Sequence, residues 1–346
     1  MKCRKKSLFM MLCAAVLLMF LIGLFVGSSH MTLADAVRAL FGRGADADIR
    51  IIRGVRLPRL LAAMIAGAGL SLSGLIMQTT LNNPMASPST LGVSNAAVFG
   101  ANLSIIVFAG GSLQTGNRPA AFSVGASPYA TGLVAFAFAA LSVLLILGLC
   151  RLRTFSPGVV VLSGIAIGSV WTAATTVLQF YATDVGLSAA VIWSFGDLGR
   201  ATYKTDLIML AVVLLAAVFF LLTAWRYNAL LSGEGAAVSL GVKVSTLRFL
   251  SLLLSSLITA VCVSFLGIIG FVGVICPHIA KKLFGQDHRV SLPASALTGS
   301  LLLLCADTLS RMLGSGSAIP VGAITSLLGA PFFLIILLGK GGRGHA

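Results

Sequence analysis

The chain has 346 residues, of which 58% are hydrophobic and only 10% are charged, and its formal net charge is +15. A soluble domain carries about 25% charged residues, so this composition excludes a soluble globular protein. The basic residues form no basic helix and no RNA-binding motif, and we therefore expect no nucleic-acid partner.

Apolar runs recur along the whole chain, each long enough to cross the roughly 30 Å hydrocarbon core of a membrane as a helix. The runs are continuous rather than alternating, which indicates helices and not the strands of a barrel. We predict an all-α integral membrane protein that forms a single domain, residues 1–346, with about ten transmembrane helices in contact with lipid. The predicted spans are 7–27, 57–81, 92–110, 129–149, 159–181, 204–225, 246–268, 271–284, 292–312 and 320–339.

The first span follows the basic stretch MKCRKK, and no small-x-small cleavage site follows it, so we interpret it as an uncleaved helix. Most of the 24 Lys and Arg residues then fall on one side of the membrane, which predicts that both termini are cytoplasmic. One loop on the opposite side departs from this rule. Its basic residues are Arg38, Arg43, Arg50, Arg53, Arg56 and Arg59. They bind either lipid phosphates or an acidic partner outside the cell membrane.

Asp307 lies within the ninth span, four residues before Arg311. An acidic residue inside a membrane is a functional candidate by default. It serves either as part of a proton relay or as a local partner that orients Arg311 from one helical turn away. We favour the local pair.

The sequence Cys276-Pro277-His278 raises the question of a metal site. Such a site needs three or four convergent ligands, and the other histidines are distant in sequence or beyond the end of this segment. Proline is well tolerated in the first turn of a helix. We therefore predict that Pro277 begins a helix and that no metal is bound.

The segment between the sixth and seventh spans contains Glu234, which is the only Glu in the chain. Ser232 or Gly233 can cap a short helix from Glu234 to Leu240, and Gly241 can close it. Two short helices separated by glycine would offer a surface to a cytoplasmic partner. From the pattern alone, an ordinary connecting loop fits equally well.

Four stretches, taken in order, resemble the FecCD-type permeases of ABC importers for iron–siderophores, haem and cobalamin. The stretches are Arg56–Ala97 (RLPRLLAAM…), Leu230–Val242 (LLSGEGAAVSLGV), Gly270–Arg289 (GFVGVICPHIAKKLFGQDHR) and Ala306–Leu338 (ADTLSR…IPVGAITSLLGAPFFLIILL). The resemblance covers nearly the whole chain from about residue 50.

The resemblance implies the type II importer architecture, in which the permease pairs with a second permease copy, identical or not, in the cytoplasmic membrane. Cytoplasmic ABC ATPase subunits would power the pair, and an extracytoplasmic binding protein would deliver an iron–siderophore, haem or cobalamin. No G-x-x-x-x-G-K-[ST] motif is present, so ATP would bind to the partner ATPase. The chain itself is then a transport subunit, without enzymatic activity and without a directly bound cofactor.

The resemblance also assigns roles to individual residues. It implies that the binding protein docks on Arg56, Arg59 and Arg311. Arginine suits this role because its planar guanidinium group can form two parallel hydrogen bonds with a carboxylate. Contact with the ATPase falls to a coupling segment, residues 228–242, through Glu234, Ala237, Leu240 and Gly241. The cytoplasmic constriction of the pathway falls to Asn83, Pro84 and Met85, with Ser156 and Pro157 as weaker candidates. Gln78 either points into the pathway or bonds to a neighbouring helix.

A proton-coupled secondary transporter is the main alternative function. It requires ionisable residues within the membrane for coupling, and Asp307 stands almost alone there. A membrane enzyme fits less well, because the sequence brings together no paired carboxylates and no nucleophile with a base.

Overall fold

The structure is a computed structural model that describes residues 2–26, 32–108, 128–152, 157–314 and 318–340. Helices dominate these ranges. In chain order they are α1 Lys2–Phe25, α2 Leu33–Leu40, α3 Asp46–Ile49, α4 Leu57–Thr80, α5 Val93–Leu103, α6 Pro128–Leu152, α7 Pro157–Phe180, α8 Asp184–Ser194, α9 Tyr203–Leu222, α10 Ala224–Leu231, α11 Glu234–Ser239, α12 Val244–Leu266, α13 Val272–Phe284, α14 His288–Leu313 and α15 Val321–Lys340.

The predicted all-helical membrane class is confirmed. Each predicted span coincides with one of the helices α1, α4, α5, α6, α7, α9, α12, α13, α14 and α15. Seven helices of the described ranges are long and apolar enough to cross a membrane, as judged by length and composition. The number of ten crossings stays a prediction, because helices such as α5 and α13 are shorter.

The segment 182–203 was expected to be a polar connection, but it contains the apolar helix α8. The side chain of Thr183 caps this helix by accepting a hydrogen bond from the N–H of Gly186 at 3.2 Å. The apolar run is too short to read as a membrane span, and that is why sequence analysis missed the helix.

The prediction that Pro277 begins a helix is wrong, because α13 begins five residues earlier, at Val272. A proline inside a helix has no N–H and leaves the carbonyl four residues before it, here that of Gly273, without its helical donor. The side chain of Gln78 in α4 supplies donors instead, since its Nε2 lies 3.4 Å from the carbonyl of Gly273 and 3.3 Å from that of Val274. A neighbouring helix therefore compensates for the proline.

Helix α4 lies at the centre of the fold, buried against α9, α12, α13 and α14. Glycines permit this close packing, because backbones can approach where side chains are absent. A Cβ atom added at Gly67 would lie 2.3 Å from the carbonyl oxygen of Gly299, and one added at Gly74 would lie 1.7 Å from that of Gly273. No side chain fits at either crossing.

The outer helices expose apolar side chains on their outward faces. Examples are Leu17 of α1, Leu144 of α6, Leu162 of α7 and Leu222 of α9. Such faces suit contact with lipid tails or with another membrane subunit, and they explain why the chain is so hydrophobic at its surface as well as in its core.

The crossing of α4 and α13 gives a first testable prediction. We expect Gly74→Ala to lower the free energy of unfolding by roughly 1–3 kcal/mol, because the added methyl group forces the two backbones apart. Thermal unfolding of the purified protein in detergent measures the change. Gly148→Ala is the matched control, since nothing lies within 4 Å of a Cβ atom at that position of α6. Equal melting temperatures for the two variants would contradict the close packing described for α4.

Candidate functional site

The three predicted docking arginines lie together at one end of the helical bundle, where α4 begins and α14 ends. We call this the arginine end. Asp307 of α14 is fully buried, and its Oδ1 lies 2.5 Å from Nε of Arg59 in α4. Its Oδ2 lies 3.0 Å from Nε of Arg311, one helical turn further along α14. The predicted Asp307–Arg311 pair is confirmed, and Arg59 adds a second cation to it.

The arginines also bind the end of α1. The last carbonyls of a helix have no helical donor and carry partial negative charge, so they attract cations. Nη1 of Arg56 donates to the carbonyl of Leu24 at 2.7 Å, and Nη1 of Arg311 donates to the carbonyls of Gly23 and Val26 at 2.8 Å each. Together these contacts join α1, α4 and α14 at the arginine end.

The predicted docking residues are largely buried within the chain. Arg56 is 5% exposed and Arg59 is 7% exposed, whereas Arg38 and Arg43 of the preceding loop are open to solvent. Within the described ranges, Nη2 of Arg59 and Nη2 of Arg311 have no hydrogen-bond partner. Both groups are buried within the chain and are not accessible to an outside carboxylate in this structure. The docking role itself stays a prediction.

The coupling segment lies near the opposite end of α4, which we call the coupling end. It holds α11 and the second half of α10, so two short helices form here rather than an ordinary connecting loop. Helix α11 runs from Glu234 to Ser239, and Gly241 follows with a φ of +82°, as expected of a glycine that closes a helix. Ala237 is fully buried, whereas the side chains of Glu234 and Leu240 are exposed.

Polar contacts hold α10 against its surroundings. Asn228 donates to Oδ1 of Asp287 at 2.7 Å, and this bond, with the N–H of Arg289 at 3.0 Å, holds the pKa of the Asp287 carboxyl below its usual value. Burial raises the pKa of Tyr227, whose hydroxyl lies 2.7 Å from Oγ of Ser251 in α12. Helix α10 is therefore attached both to α12 and to the start of α14.

The predicted constriction, residues 83–85, directly follows the end of α4 at the coupling end. Helix α4 ends at Thr80, and the chain turns at Asn82, which has a φ of +45°. Oδ1 of Asn83 accepts a hydrogen bond from the N–H of Met85 at 2.9 Å and so stabilises the turn. Pro84 and Met85 are exposed. Their part in a pathway stays a prediction.

The remaining pathway candidates differ in their positions. Gln78 is buried, and its Oε1 accepts a hydrogen bond from Lys281 at 3.3 Å in addition to the contacts of its Nε2 with α13. These bonds agree with the second of the two roles considered for Gln78, which is bonding to a neighbouring helix. Pro157 is the first residue of α7. Ser156 lies outside the described residues.

Three buried ionisable residues at the two ends were not among the predicted site residues. Arg248 of α12 and His288 of α14 lie at the coupling end, and Asp206 lies in the first turn of α9. No hydrogen-bond partner for the Asp206 carboxylate is found in the part of the chain that the structure describes. A single charge inside an apolar run is the signal that could have identified Arg248 and Asp206.

An open groove of about 500 Å³ runs between α5, α7 and the turn that precedes α5. Its lining residues are mostly small or hydroxyl-bearing, and none of them is charged. The lining residues are Ser89, Gly92, Asn95, Gly164, Ile165, Gly168, Ser169, Thr172, Ala173 and Thr176. Asn95 bridges the two helices by donating to the carbonyl of Gly168 at 3.2 Å and to Oγ1 of Thr172 at 3.1 Å.

Among the described residues, no group of three or more His, Cys, Asp or Glu side chains could hold a metal ion. Cys276 is fully buried in α13 and packs in the apolar core. The Cys-Pro-His sequence lies within α13, between its first residue, Val272, and its last, Phe284.

Comparison with known proteins gives a consistent result. The family model described as the FecCD transport family matches residues 15–339. A Methanocaldococcus jannaschii protein provisionally named an ABC transporter permease is 43% identical over 97% of this chain and 95% of its own length. The haemin transport system permease of Yersinia pestis is 36% identical over 93% of this chain and 94% of its own length. The Fe(3+)-citrate import system permease of Bacillus subtilis is 33% identical over 96% of each chain.

A solved structure supports the same assignment. It is an inward-facing conformation of an ABC transporter provisionally assigned to the metal-chelate type, and it matches with a TM-score of 0.81 and 29% identity. The match covers 96% of this chain and 99% of the solved chain. The chain therefore belongs to the FecCD transport family and is a multi-pass membrane permease of the ABC importer type, in which the ATPase is a separate subunit.

Proposed function

We propose that this permease carries a ferric siderophore across the cytoplasmic membrane, with haem and cobalamin as the alternative cargoes. The observation that carries the proposal is the family match over residues 15–339, together with relatives named for haemin and ferric citrate, both iron-containing compounds. Membership of an ABC importer family favours ATP over a proton gradient as the source of energy.

In this proposal both termini and the coupling segment lie in the cytoplasm, and the arginine end faces outward. Helix α4 extends for 24 residues between the two ends, or about 36 Å at 1.5 Å per residue, which is long enough to cross the hydrocarbon core. The binding protein docks at the arginine end through Arg56, Arg59 and Arg311. The ATPase binds at the coupling end through Glu234, Ala237, Leu240 and Gly241.

The pathway runs between this chain and a second permease copy. The uncharged groove between α5 and α7 forms part of its wall, and the residue 83–85 turn forms the cytoplasmic constriction, with Ser156, Pro157 and Gln78 as further candidates. Transport then follows alternating access: the ATPases move the coupling segments, and the constriction opens or closes. Uncharged walls suit such a pathway, because a cargo must be released as readily as it enters.

The first test is ATP hydrolysis by the complex of the permease with its genetically neighbouring ATPase and binding protein in lipid vesicles. We expect a binding protein loaded with ferric siderophore to stimulate hydrolysis and to drive iron into the vesicles. Binding protein loaded with haem or with cobalamin is assayed in parallel, and the compound that stimulates hydrolysis and enters the vesicles is the cargo. Iron uptake that followed a proton gradient without any ATPase would contradict the proposal.

The docking role is tested by charge reversal at the arginine end. We expect Arg56→Glu combined with Arg59→Glu to weaken the affinity for the binding protein by roughly tenfold or more. The double variant replaces two cations by carboxylates, which repel the carboxylates of the partner. Surface plasmon resonance with the reconstituted permease measures the affinity. Arg43→Glu is the matched control in the exposed part of the same loop, and retained ATPase binding at the other end shows that the variant is folded. Unchanged affinity in the double variant would refute docking at these residues.

The pathway role of the groove is tested by filling it. We expect Ser169→Trp to abolish cargo transport while ATP hydrolysis continues, because the indole ring occupies the groove without reaching the coupling end. Leu144→Trp, on the exposed face of α6, is the control and should transport normally. Normal transport by Ser169→Trp would show that the cargo passes elsewhere.

A further inference from the structure

Two buried side chains connect the coupling segment to the last turn of α4. The first is Arg248 in the second turn of α12, which is only 4% exposed. Its Nε donates to the carbonyl of Thr80 at 3.0 Å, and its Nη2 forms an ion pair with the carboxylate of Glu234, the first residue of α11. One guanidinium group thus binds the end of α4 and the start of α11 at the same time.

The carbonyl of Thr80 is one of the last four in α4, which have no donor within the helix. Arg248 supplies that donor from a neighbouring helix. Because the guanidinium is planar and its donors point in fixed directions, it holds its two partners in a defined mutual orientation. A lysine would keep the charge and lose this geometry.

The second side chain is His288, the first residue of α14, which is fully buried. Its Nδ1 lies 2.8 Å from Oδ1 of Asn228 in α10, and its Nε2 lies 2.9 Å from Oγ1 of Thr79 in α4. An amide oxygen only accepts hydrogen bonds, so the Nδ1–H of His288 donates to Asn228. The imidazole therefore bridges α10 and α4.

The two connections reach consecutive residues, since Thr79 and Thr80 are the last two residues of α4. The residue 83–85 constriction begins three positions later, after the turn at Asn82. Each helix of the coupling segment thus has its own polar contact with the helix end that carries the constriction. Apolar packing is non-directional, whereas hydrogen bonds to charged groups impose a fixed geometry.

We propose that Arg248 and His288 are positioning residues that transmit movement of the coupling segment through Thr80 and Thr79 to the constriction. The proposal rests on the proposed function, in which an ATPase moves the coupling segment. Neither side chain needs to touch the ATPase or the cargo, because both are buried inside the permease.

The test measures the constriction directly. Met85 is exposed, so Met85→Cys in a cysteine-free background reports its surroundings through the rate of maleimide labelling. In vesicles that contain the permease with its ATPase, we expect ATP to change this rate. Arg248→Lys and Thr79→Val, which keep side-chain volume close to the original, should reduce the ATP-dependent change by roughly fivefold or more. Binding of the ATPase should stay as in the unmodified complex.

Two further comparisons separate transmission from a general loss of stability. Arg289→Gln removes an exposed arginine at the same end and should keep the full ATP response. At equal ATPase occupancy, Glu234→Gln combined with Arg248→Gln should lose no more of the response than Arg248→Gln alone, because Glu234 reaches α4 only through Arg248. Additive losses would show that Glu234 and Arg248 act separately and would overturn the link.

The outcomes distinguish this proposal from the proposed function. If the unmodified permease bound no ATPase, the proposed function would fail, and the transmission role would fail with it. If the unmodified complex responded to ATP and Arg248→Lys and Thr79→Val responded equally, only the transmission role would be overturned. A conservative variant that binds the ATPase but no longer moves Met85 supports it.

Discussion

The structure depends most on the close approach of α4 to α13 and α14. At the Gly67–Gly299 and Gly74–Gly273 crossings the backbones meet with no side chain between them. These two crossings hold α4 in place against α13 and α14. The positions of both ends of α4 relative to these two helices are therefore restricted. The arginine end and the coupling end both follow from this restriction, since Arg59 lies at the start of α4 and Thr80 at its end.

The arginine end solves a second physical problem. A fully buried carboxylate such as that of Asp307 is costly unless cations and hydrogen bonds compensate for it. Arg59 and Arg311 do so from two different helices, and Arg311 also binds the free carbonyls of α1. The same arginines that would receive a partner therefore hold three helices together. If the binding protein docks at this surface, as proposed, docking and packing of the bundle share one network.

Much of the fold could be predicted from the sequence, because long apolar runs have few alternatives in a membrane. The sequence also indicated where a short helix could lie in the coupling segment, since Glu234 begins α11 and Gly241 follows its end, but the pattern alone fitted an ordinary loop equally well. Pro277 shows the limit of local reasoning. Its position within α13 depends on Gln78, which is about 200 residues away in the chain and donates to the carbonyl of Gly273, the one that proline leaves without a helical donor. No local pattern contains that contact.

The polar connections at the coupling end were unpredictable for the same reason. Arg248 is the one charged residue of α12, and it is buried and binds both Glu234 and the carbonyl of Thr80. Its role depends on three segments that meet only in the folded chain. The sequence could have singled out the lone arginine in an apolar helix, but it could not have named its partners.

The groove between α5 and α7 bears on how one architecture can serve different cargoes. Its lining offers hydroxyl groups, one amide and glycine backbone, with no charged side chain to select one chelate over another. Relatives that share this fold are named for haemin, ferric citrate and cobalamin, which differ greatly in size and chemistry. If the groove lines the pathway, as proposed, its uncharged wall selects no cargo by charge. Under the proposed function, this leaves selection by charge to the binding protein that delivers the cargo.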